Sequence, residues 1–542
     1  MRRDFQTPEV LDALQRGDLQ AAEALANAAA LAHPGRLEAW RQLGLVRQIA
    51  GKLSDAFAAY ERALELDPND IEVAKALARA ALRLGQSETA LALALHGATQ
   101  AADDADALLL VIESLLAVGN LSDALRISDE VTEIFPLNIS LLIMRARIRR
   151  QLGALSDAID LLRQAQHLAP RNPDVLYELA LSLADQGEIE RPETLAREAL
   201  GLCQADGGPP STRAALEFLL ATLLLSRGAL AEGWQAYGAR LDPALPQAVH
   251  FEMDAPRWDG QGDLANRSLT LVAEQGLGEE IAFLGLIPDL LKRLAPSCRL
   301  ELCVDRRLHG FLARSFPSLD LSAPETSSRD GFKYRRVGEG VPVKDLWLPL
   351  GDLLARDRRR IEDFHRKPGY FIADPLRVAA WRDWLASLGP GPKIGLTWRS
   401  GKLGEGRAFK FPQLGDWRAL VSANTVHWIA LQYSATPEEH DALGEILQAP
   451  LSVAPDLDLF QDLEGLGALC AALDLTLGVP NATTNLAGAV GAPLWMVCPP
   501  TPWTALGTGA YPWYPQAKTF VATELGDWHP PLAAVAVQLA KF

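Results

Sequence analysis

Three short stretches of this 542-residue chain carry the residue types that an anionic or hydroxyl-bearing ligand needs. The first is Ala273-Glu274-Gln275-Gly276-Leu277-Gly278-Glu279-Glu280. Its glycines let a ligand approach the backbone, and a helix beginning there favours anionic groups at its N-terminus. Glu279 or Glu274 can take the proton of an acceptor hydroxyl as a general base. The plainer alternative is that Glu279 and Glu280 complement the helix dipole, and chemistry alone ranks it first. The G-x-G-x-x-G fingerprint is incomplete, which disfavours a nicotinamide dinucleotide. The second stretch is Thr397-Trp398-Arg399-Ser400-Gly401-Lys402, with Arg407 and Lys410 soon after. Arginine and lysine beside a glycine turn suit a nucleotide phosphate. A solvated basic loop is the alternative, and the clustering of cations in an acidic chain favours the phosphate. The third runs from Gly478-Val479-Pro480-Asn481 through Ala482-Thr483-Thr484-Asn485 to Gly488. Thr483, Thr484 and Asn485 offer hydroxyls, amides and helix-starting N–H groups to a phosphate, or else cap a helix in the ordinary way.

Other polar residues are less informative. Asp456-Leu457-Asp458 has the D-x-D form of a metal site, but it has no histidine partner and reads better as a solvated acidic turn. No H-E-x-x-H, Walker or G-x-S-x-G pattern occurs. The five cysteines, Cys203, Cys298, Cys303, Cys470 and Cys498, are odd in number and scattered, so they read as buried thiols rather than as disulfides or a zinc site.

The elements that must hold these turns alternate. SLTLV, CRLELCV, DLWLPL, KIGLTW, VHWIALQ, LDLTLGV and PLWMVC are strand candidates with helical segments between them. Such alternation predicts a mostly parallel sheet with helices on both faces, and ligands bind at the carboxyl ends of its strands. All three turns fall at such ends. The Gly389–Pro392 break divides this part into two units, 242–388 and 389–542, with a cleft between them for two substrates.

The first 241 residues have a different plan. Gly17, Gly51, Gly85, Gly119, Gly153 and Gly187 recur every 34 residues. An alanine follows five positions after each of the first five, and Pro34, Pro68, Pro136 and Pro170 keep the same spacing. In the clearest copy Trp40, Leu43 and Gly44 lie on one helix and Ala56, Tyr60 and Ala63 on the next. This pattern resembles the tetratricopeptide repeat. Small residues let paired helices approach, glycine ends the first and proline closes the second. The sixth copy is degraded by Pro192. A last pair, ALEFLLATLLLSRGALAEGWQAYGARL, is expected to cap the solenoid and dock it on the second half. A solenoid offers a groove for an extended peptide or a helix, and Arg79, Arg83, Arg145 and Arg149 are candidates to line it; a solvated helix face explains them about as well.

Composition narrows the classes. Hydrophobic residues at 49% fit a globular chain, and a net charge of -16 disfavours nucleic acid as a partner. No apolar run follows the N-terminal arginines, and none reaches about 18 residues, so neither a signal peptide nor a membrane span is expected and the cytoplasm is the default compartment.

The three turns behind helical repeats resemble a bacterial family of tetratricopeptide proteins with a GT-B-type glycosyltransferase region. These are distant relatives of heptosyltransferases and of O-linked N-acetylglucosamine transferases. The resemblance rests on Trp258 with Gly260, Glu274-Gln275-Gly276-Leu277-Gly278, Ile394-Gly395-Leu396 with Trp398, and Leu431-Gln432. It continues in Leu473-Asp474-Leu475, Leu486-Ala487-Gly488-Ala489, Pro493-Leu494-Trp495 and Pro512-Trp513-Tyr514-Pro515. It implies a tetratricopeptide solenoid followed by an α/β GT-B-like pair of Rossmann-type domains. It implies transfer of a sugar without metal or other cofactor, since protein cations and helix dipoles stabilise the leaving phosphate. Glu279, or else Glu274, would be the base. Gln275, Gly276, Gly278, Trp398, Arg399, Ser400, Lys402, Arg407, Lys410, Gln432, Asn481, Thr483, Thr484 and Asn485 would hold the nucleotide sugar. The family pattern has Asp-Thr where Pro480-Asn481 stand, His at Asn485 and commonly Asp at Glu279. The first of these departures imply a donor other than a uridine-diphosphate sugar, or lost activity. The combination is similar to alphaproteobacterial flagellin glycosyltransferases. These imply flagellin as the protein partner and a CMP-linked, sialic-acid-like donor such as pseudaminic acid. A non-catalytic chaperone or adaptor, or a transferase acting on a glycan, are the alternatives.

Overall fold

The computed structural model describes residues 8–101, 103–274, 276–338, 340–342, 344–364, 366–401, 410–421 and 426–541. The chain forms two compact units. One comprises Met1–Pro170 with Pro246–His250 and Ser327–Tyr334; the other comprises Arg171–Leu245, Phe251–Thr326 and Arg335–Phe542.

The first unit is a helical solenoid. Helix pairs such as Leu37–Ile49 with Leu53–Leu66, and Ile71–Arg83 with Ser87–Gln100, repeat along it. Each pair turns on one of the phased glycines, and Gly51, Gly85, Gly119 and Gly153 all have φ between 74° and 81°. At the first of these, the Lys52 N–H reaches back to the Arg47 carbonyl at 2.9 Å, which closes the helix end. Within a pair the helices touch closely: a Cβ on Gly44 would stand 2.6 Å from the Tyr60 ring. Buried Ala56, Ala59 and Ala63 line the same seam.

Compactness places the sixth pair, Pro173–Asp185 with Glu190–Asp206, and the last, Pro210–Ser226 with Leu230–Ala236, in the second unit. The last pair is part of that unit's core. Leu225, Leu230, Trp234 and Tyr237 share one apolar cluster with Phe283, Leu350 and Trp513. The Trp234 indole N–H donates to the Arg358 carbonyl at 2.7 Å.

The strands, in chain order, are β1 (Val249–Phe251), β2 (Ser268–Val272), β3 (Arg299–Cys303), β4 (Asp320–Ser322), β5 (Pro324–Arg329), β6 (Phe332–Val337) and β7 (Leu346–Pro349). They continue with β8 (Lys393–Thr397), β9 (His427–Ala430), β10 (Leu451–Ser452), β11 (Leu475–Gly478), β12 (Leu494–Cys498) and β13 (Ala517–Val521). Two sheets are parallel: a four-stranded sheet in the order β4-β3-β2-β7 and a six-stranded sheet in the order β10-β9-β8-β11-β12-β13. Strands β1, β6 and β5 form a third, small sheet. Each sequence-predicted strand is present. Strands β1, β4, β5, β6, β10 and β13 are additions: β1, β4 and β10 are only two or three residues long, and β5, β6 and β13 carry mixed or polar residues that hide them from a hydrophobic pattern. The large apolar cluster joins one face of the four-stranded sheet (Leu269, Leu271, Leu300, Leu302) to Leu431, Leu473, Leu486 and Met496 of the six-stranded half. A second cluster, with Ile394, Leu396, Trp398, Leu475 and Leu477, covers the other face of the six-stranded sheet.

All five cysteines are free thiols, four of them buried. Among the described residues no helix is long and apolar enough to cross a membrane.

Candidate functional site

The three polar turns meet at the carboxyl ends of the two parallel sheets. The turn after β2 leads into the helix Leu277–Leu284, and the turn after β11 into the helix Ala482–Ala489. These helix starts lie against each other. A Cβ on Gly278 would stand 3.1 Å from Nδ2 of Asn485 and 3.6 Å from the Ala482 nitrogen, so even a methyl group there would press on the Asn485 amide. The turn after β8 joins them from the side. Asn481 Nδ2 donates to Thr397 Oγ1 at 2.8 Å and to the Arg399 carbonyl at 3.2 Å.

Gln432, just past β9, organises that turn from beneath. Its buried Oε1 accepts from Thr397 Oγ1 (3.0 Å), the Trp398 N–H (3.1 Å) and the Arg399 N–H (3.0 Å), and its Nε2 donates to the Tyr433 carbonyl at 3.1 Å. Asn481 and Thr484 form a reciprocal cap: Asn481 Oδ1 accepts from the Thr484 N–H at 3.0 Å, and Thr484 Oγ1 from the Asn481 N–H at 2.9 Å. Asn485 donates to the Asn481 carbonyl and accepts from the Tyr514 hydroxyl, both at 2.9 Å. Thr483 and Trp398 are buried, and Ser400 is half-buried at the turn.

The two described cations are matched. Arg399 makes a two-point ion pair with Glu439, Nε to Oε1 at 2.8 Å and Nη2 to Oε2 at 2.6 Å, and Arg399 holds that carboxyl below its ordinary range. Lys410 Nζ reaches Asp185 of the sixth helix pair at 2.7 Å. Gln275, Lys402 and Arg407 lie outside the described residues.

The carboxylates of the first turn differ sharply from one another. Glu274 is buried; Arg240 donates to its Oε1 through Nη2 (2.7 Å) and Nε (3.1 Å), and the Gly351 N–H adds a third bond at 3.0 Å. Burial pushes its pKa up against the pull of Arg240. Arg240 also bonds Asp352 at 2.9 Å. The Glu274 Oε2 is buried and has no hydrogen-bond partner among the described residues, so the carboxylate is shut off from solvent. Glu279 is half-buried on the first helical turn and folds back over Gly276, with Oε2 3.1 Å from where a Cβ would stand. Its charge acts on the Tyr237 and Tyr511 phenols. Of the two predicted bases, Glu279 is half-buried and Glu274 buried.

Glu280 is buried and accepts the Asp305 N–H at 2.6 Å; burial raises its pKa to about 7. Asp305 holds Arg307 through two bonds, at 2.9 and 2.6 Å. Arg307 crosses to the other sheet's half, donating to the Phe460 carbonyl at 2.8 Å with its guanidinium 4.7 Å from the Phe460 ring. Tyr433 packs on that ring at 5.8 Å. Arg307 thus bridges the loop after the strand Arg299–Cys303 to the loop that carries Phe460. A separate cavity of about 670 Å³, lined by Asp289, Arg293, Arg358, Phe364, Lys367 and Tyr370 among others, lies apart from the three turns.

Tetratricopeptide-repeat models match residues 59–92, and 7–71 with 143–208. The chain is 35% identical over 509 residues to Protein FlbA of Caulobacter vibrioides (strain ATCC 19089 / CIP 103742 / CB 15), covering 93% of this chain and 84% of that one. The chain belongs to the FlbA family. Solved structures similar to this FlbA-family chain include a thermophilic tetratricopeptide protein of Thermus thermophilus. It is 23% identical with a TM-score of 0.32, covering 35% of this chain and all of that one. Another is a tetratricopeptide protein of Parabacteroides merdae ATCC 43184, 18% identical with a TM-score of 0.37, covering 43% of this chain and 90% of that one.

Several residues that shape the site in this FlbA-family chain carry no sequence signal: Arg240, Asp305, Arg307, Glu439 and Phe460. Each makes a contact far away in sequence: Arg240 with Glu274, Asp305 with Glu280, Arg307 with Phe460, and Glu439 with Arg399. In the repeats, Arg79 faces Asp106 at 3.7 Å, Arg145 bonds Asp129 at 2.8 Å and Arg149 faces Asp157 at 4.0 Å, so these groove candidates are engaged with neighbouring helices. Asp458 of the D-x-D sequence caps its own loop, accepting from the Phe460 and Gln461 N–H groups at 2.8 and 2.9 Å.

Proposed function

We propose that this FlbA-family chain is a GT-B-type, metal-independent glycosyltransferase acting in the cytoplasm. It transfers a sugar from a nucleotide donor to serine or threonine hydroxyls of a protein recruited by the repeats. Flagellin is the proposed acceptor, and a CMP-linked, sialic-acid-like sugar the proposed donor. The observation that carries the reading is the convergence of the turns at Gly278, Asn485 and Thr397, each at the carboxyl end of a parallel strand, where such folds take ligands. Tetratricopeptide repeats favour a protein acceptor, because such repeats grip peptides and helices.

In this reading the acceptor oxygen attacks the anomeric carbon, the bond to the nucleotide phosphate breaks, and Glu279 receives the hydroxyl proton. Arg399 and Lys410 already face carboxylates. Stabilisation of the leaving phosphate therefore falls to the N–H groups opening the helix Ala482–Ala489, together with Lys402 and Arg407. Asn481, Gln432 and Thr484 position those groups rather than touch the phosphate. The same matched cations favour a second reading, a non-catalytic adaptor that keeps the transferase fold.

The test is intact-mass analysis of flagellin incubated with the full chain and a CMP-sugar. The proposal expects a discrete sugar increment that disappears with Glu279→Gln. An unmodified acceptor with every donor tried favours the adaptor.

A further inference from the structure

The four-stranded sheet has an unusual row on the face opposite the main core. The register sets Trp347 of β7 beside Thr270 of β2, and Thr270 beside Glu301 of β3. Parallel strands are normally apolar on both faces. Here Leu269, Leu271, Leu300 and Leu302 fill the core side, while the other face carries a hydroxyl, a carboxylate and an indole at mid-strand. That row lines a cavity of about 480 Å³, within the range of about 300–1,000 Å³ typical of small-molecule sites. Asp254, Arg336 and Lys344 line it too.

Glu301 is 2% exposed. Thr270 Oγ1 donates to its Oε2 at 2.7 Å, and no partner is described for Oε1. The rest of the wall narrows the ligand. Lys344 is fixed by Asp320 at 2.8 Å and Arg336 by Glu325 at 2.7 Å, so both cations are held in place. Glu252, Asp254 and Glu301 all line the cavity, so an anionic ligand would meet three carboxylates. A ring bearing many hydroxyls suits this lining, since each hydroxyl can donate to a carboxylate and accept from the Lys344 ammonium or the Arg336 guanidinium, while the Trp347 indole offers apolar surface to its C–H face.

We infer that this cavity is a saccharide-binding site. It shares no residue with the three converging turns, so it holds a sugar apart from the proposed transfer site.

Saturation-transfer NMR on the full chain tests this, with D-glucose and N-acetyl-D-glucosamine as probes and saturating CMP and UDP present to occupy the nucleotide site. The expected result is transfer to at least one sugar in the wild type. Affinity should fall roughly tenfold in Glu301→Gln and in Thr270→Val, the loss of about one hydrogen bond to a charged group. Trp347→Phe serves as a third variant, and circular dichroism verifies that each is folded. No transfer to either sugar in the wild type, or equal affinity in folded Glu301→Gln and Thr270→Val, overturns the inference. So does a signal that vanishes in Asn481→Ala but persists in Glu301→Gln.

Discussion

The two parallel sheets secure their carboxyl-end turns by different means. At the six-stranded sheet neutral groups predominate: Gln432 gathers three donors, and Asn481, Thr484 and Asn485 bond one another and the neighbouring turn, with the part-exposed Arg399–Glu439 pair beside them. At the four-stranded sheet buried charge predominates, with Glu274 against Arg240 and Glu280 on the Asp305 N–H. A neutral network holds one geometry across pH. A buried carboxylate adds a dependence on protonation, and removing its partner leaves an uncompensated charge. The contrast suits a site with one invariant wall and one wall whose charge state can change.

The contrast is most exposed at Arg240. Arg240→Met should destabilise the chain by about 4 kcal/mol in urea unfolding at pH 7, because Glu274 and Asp352 both lose a buried partner. A loss under about 1 kcal/mol would mean that the charged wall is not held as described. Glu280 gives the next effect. Its folded pKa of about 7 lies above the ordinary 4.5, so the folded state binds the extra proton between those values. Its stabilising contribution is full below about pH 4.5 and is lost as pH rises through 7, a change of roughly 3 kcal/mol. Glu280→Gln should flatten that part of the stability profile and be more stable than the wild type at pH 8. The neutral wall should behave otherwise. Gln432→Ala removes the acceptor for the Thr397 hydroxyl and for two N–H groups and should cost about 2 kcal/mol, with the same loss at pH 5 and pH 8. A pH-dependent loss would erase the distinction between the walls.

Much of this architecture is legible in the chain itself. The repeats are visible because each turn needs a residue at positive φ, and glycine returns at a fixed interval to supply it. The core strands are visible because both faces of a parallel sheet demand apolar side chains. The strand Pro324–Arg329 is not, since PETSSR is polar and largely exposed. At the site, the positions of the turns can be read, because glycines and helix starts mark them. The state of their charges cannot. Arg399 beside a glycine reads as a phosphate ligand until Glu439, forty residues on, is seen to hold it. Glu274 reads as a base until the fold brings Arg240 and the Gly351 N–H onto it. Partners of that kind are set by tertiary packing, which leaves no local pattern.

The central claim is that a nucleotide sugar binds beside the junction that Gly278, Asn485 and Thr397 form. Isothermal titration calorimetry of the full chain with CMP- and UDP-sugars tests it most directly, alongside Gly278→Val, whose side chain would push into Asn485 and the Ala482 nitrogen. The account predicts saturable binding of at least one nucleotide sugar by the wild type and none by folded Gly278→Val. No heat with either donor at millimolar concentration, or equal binding by the variant, would contradict it.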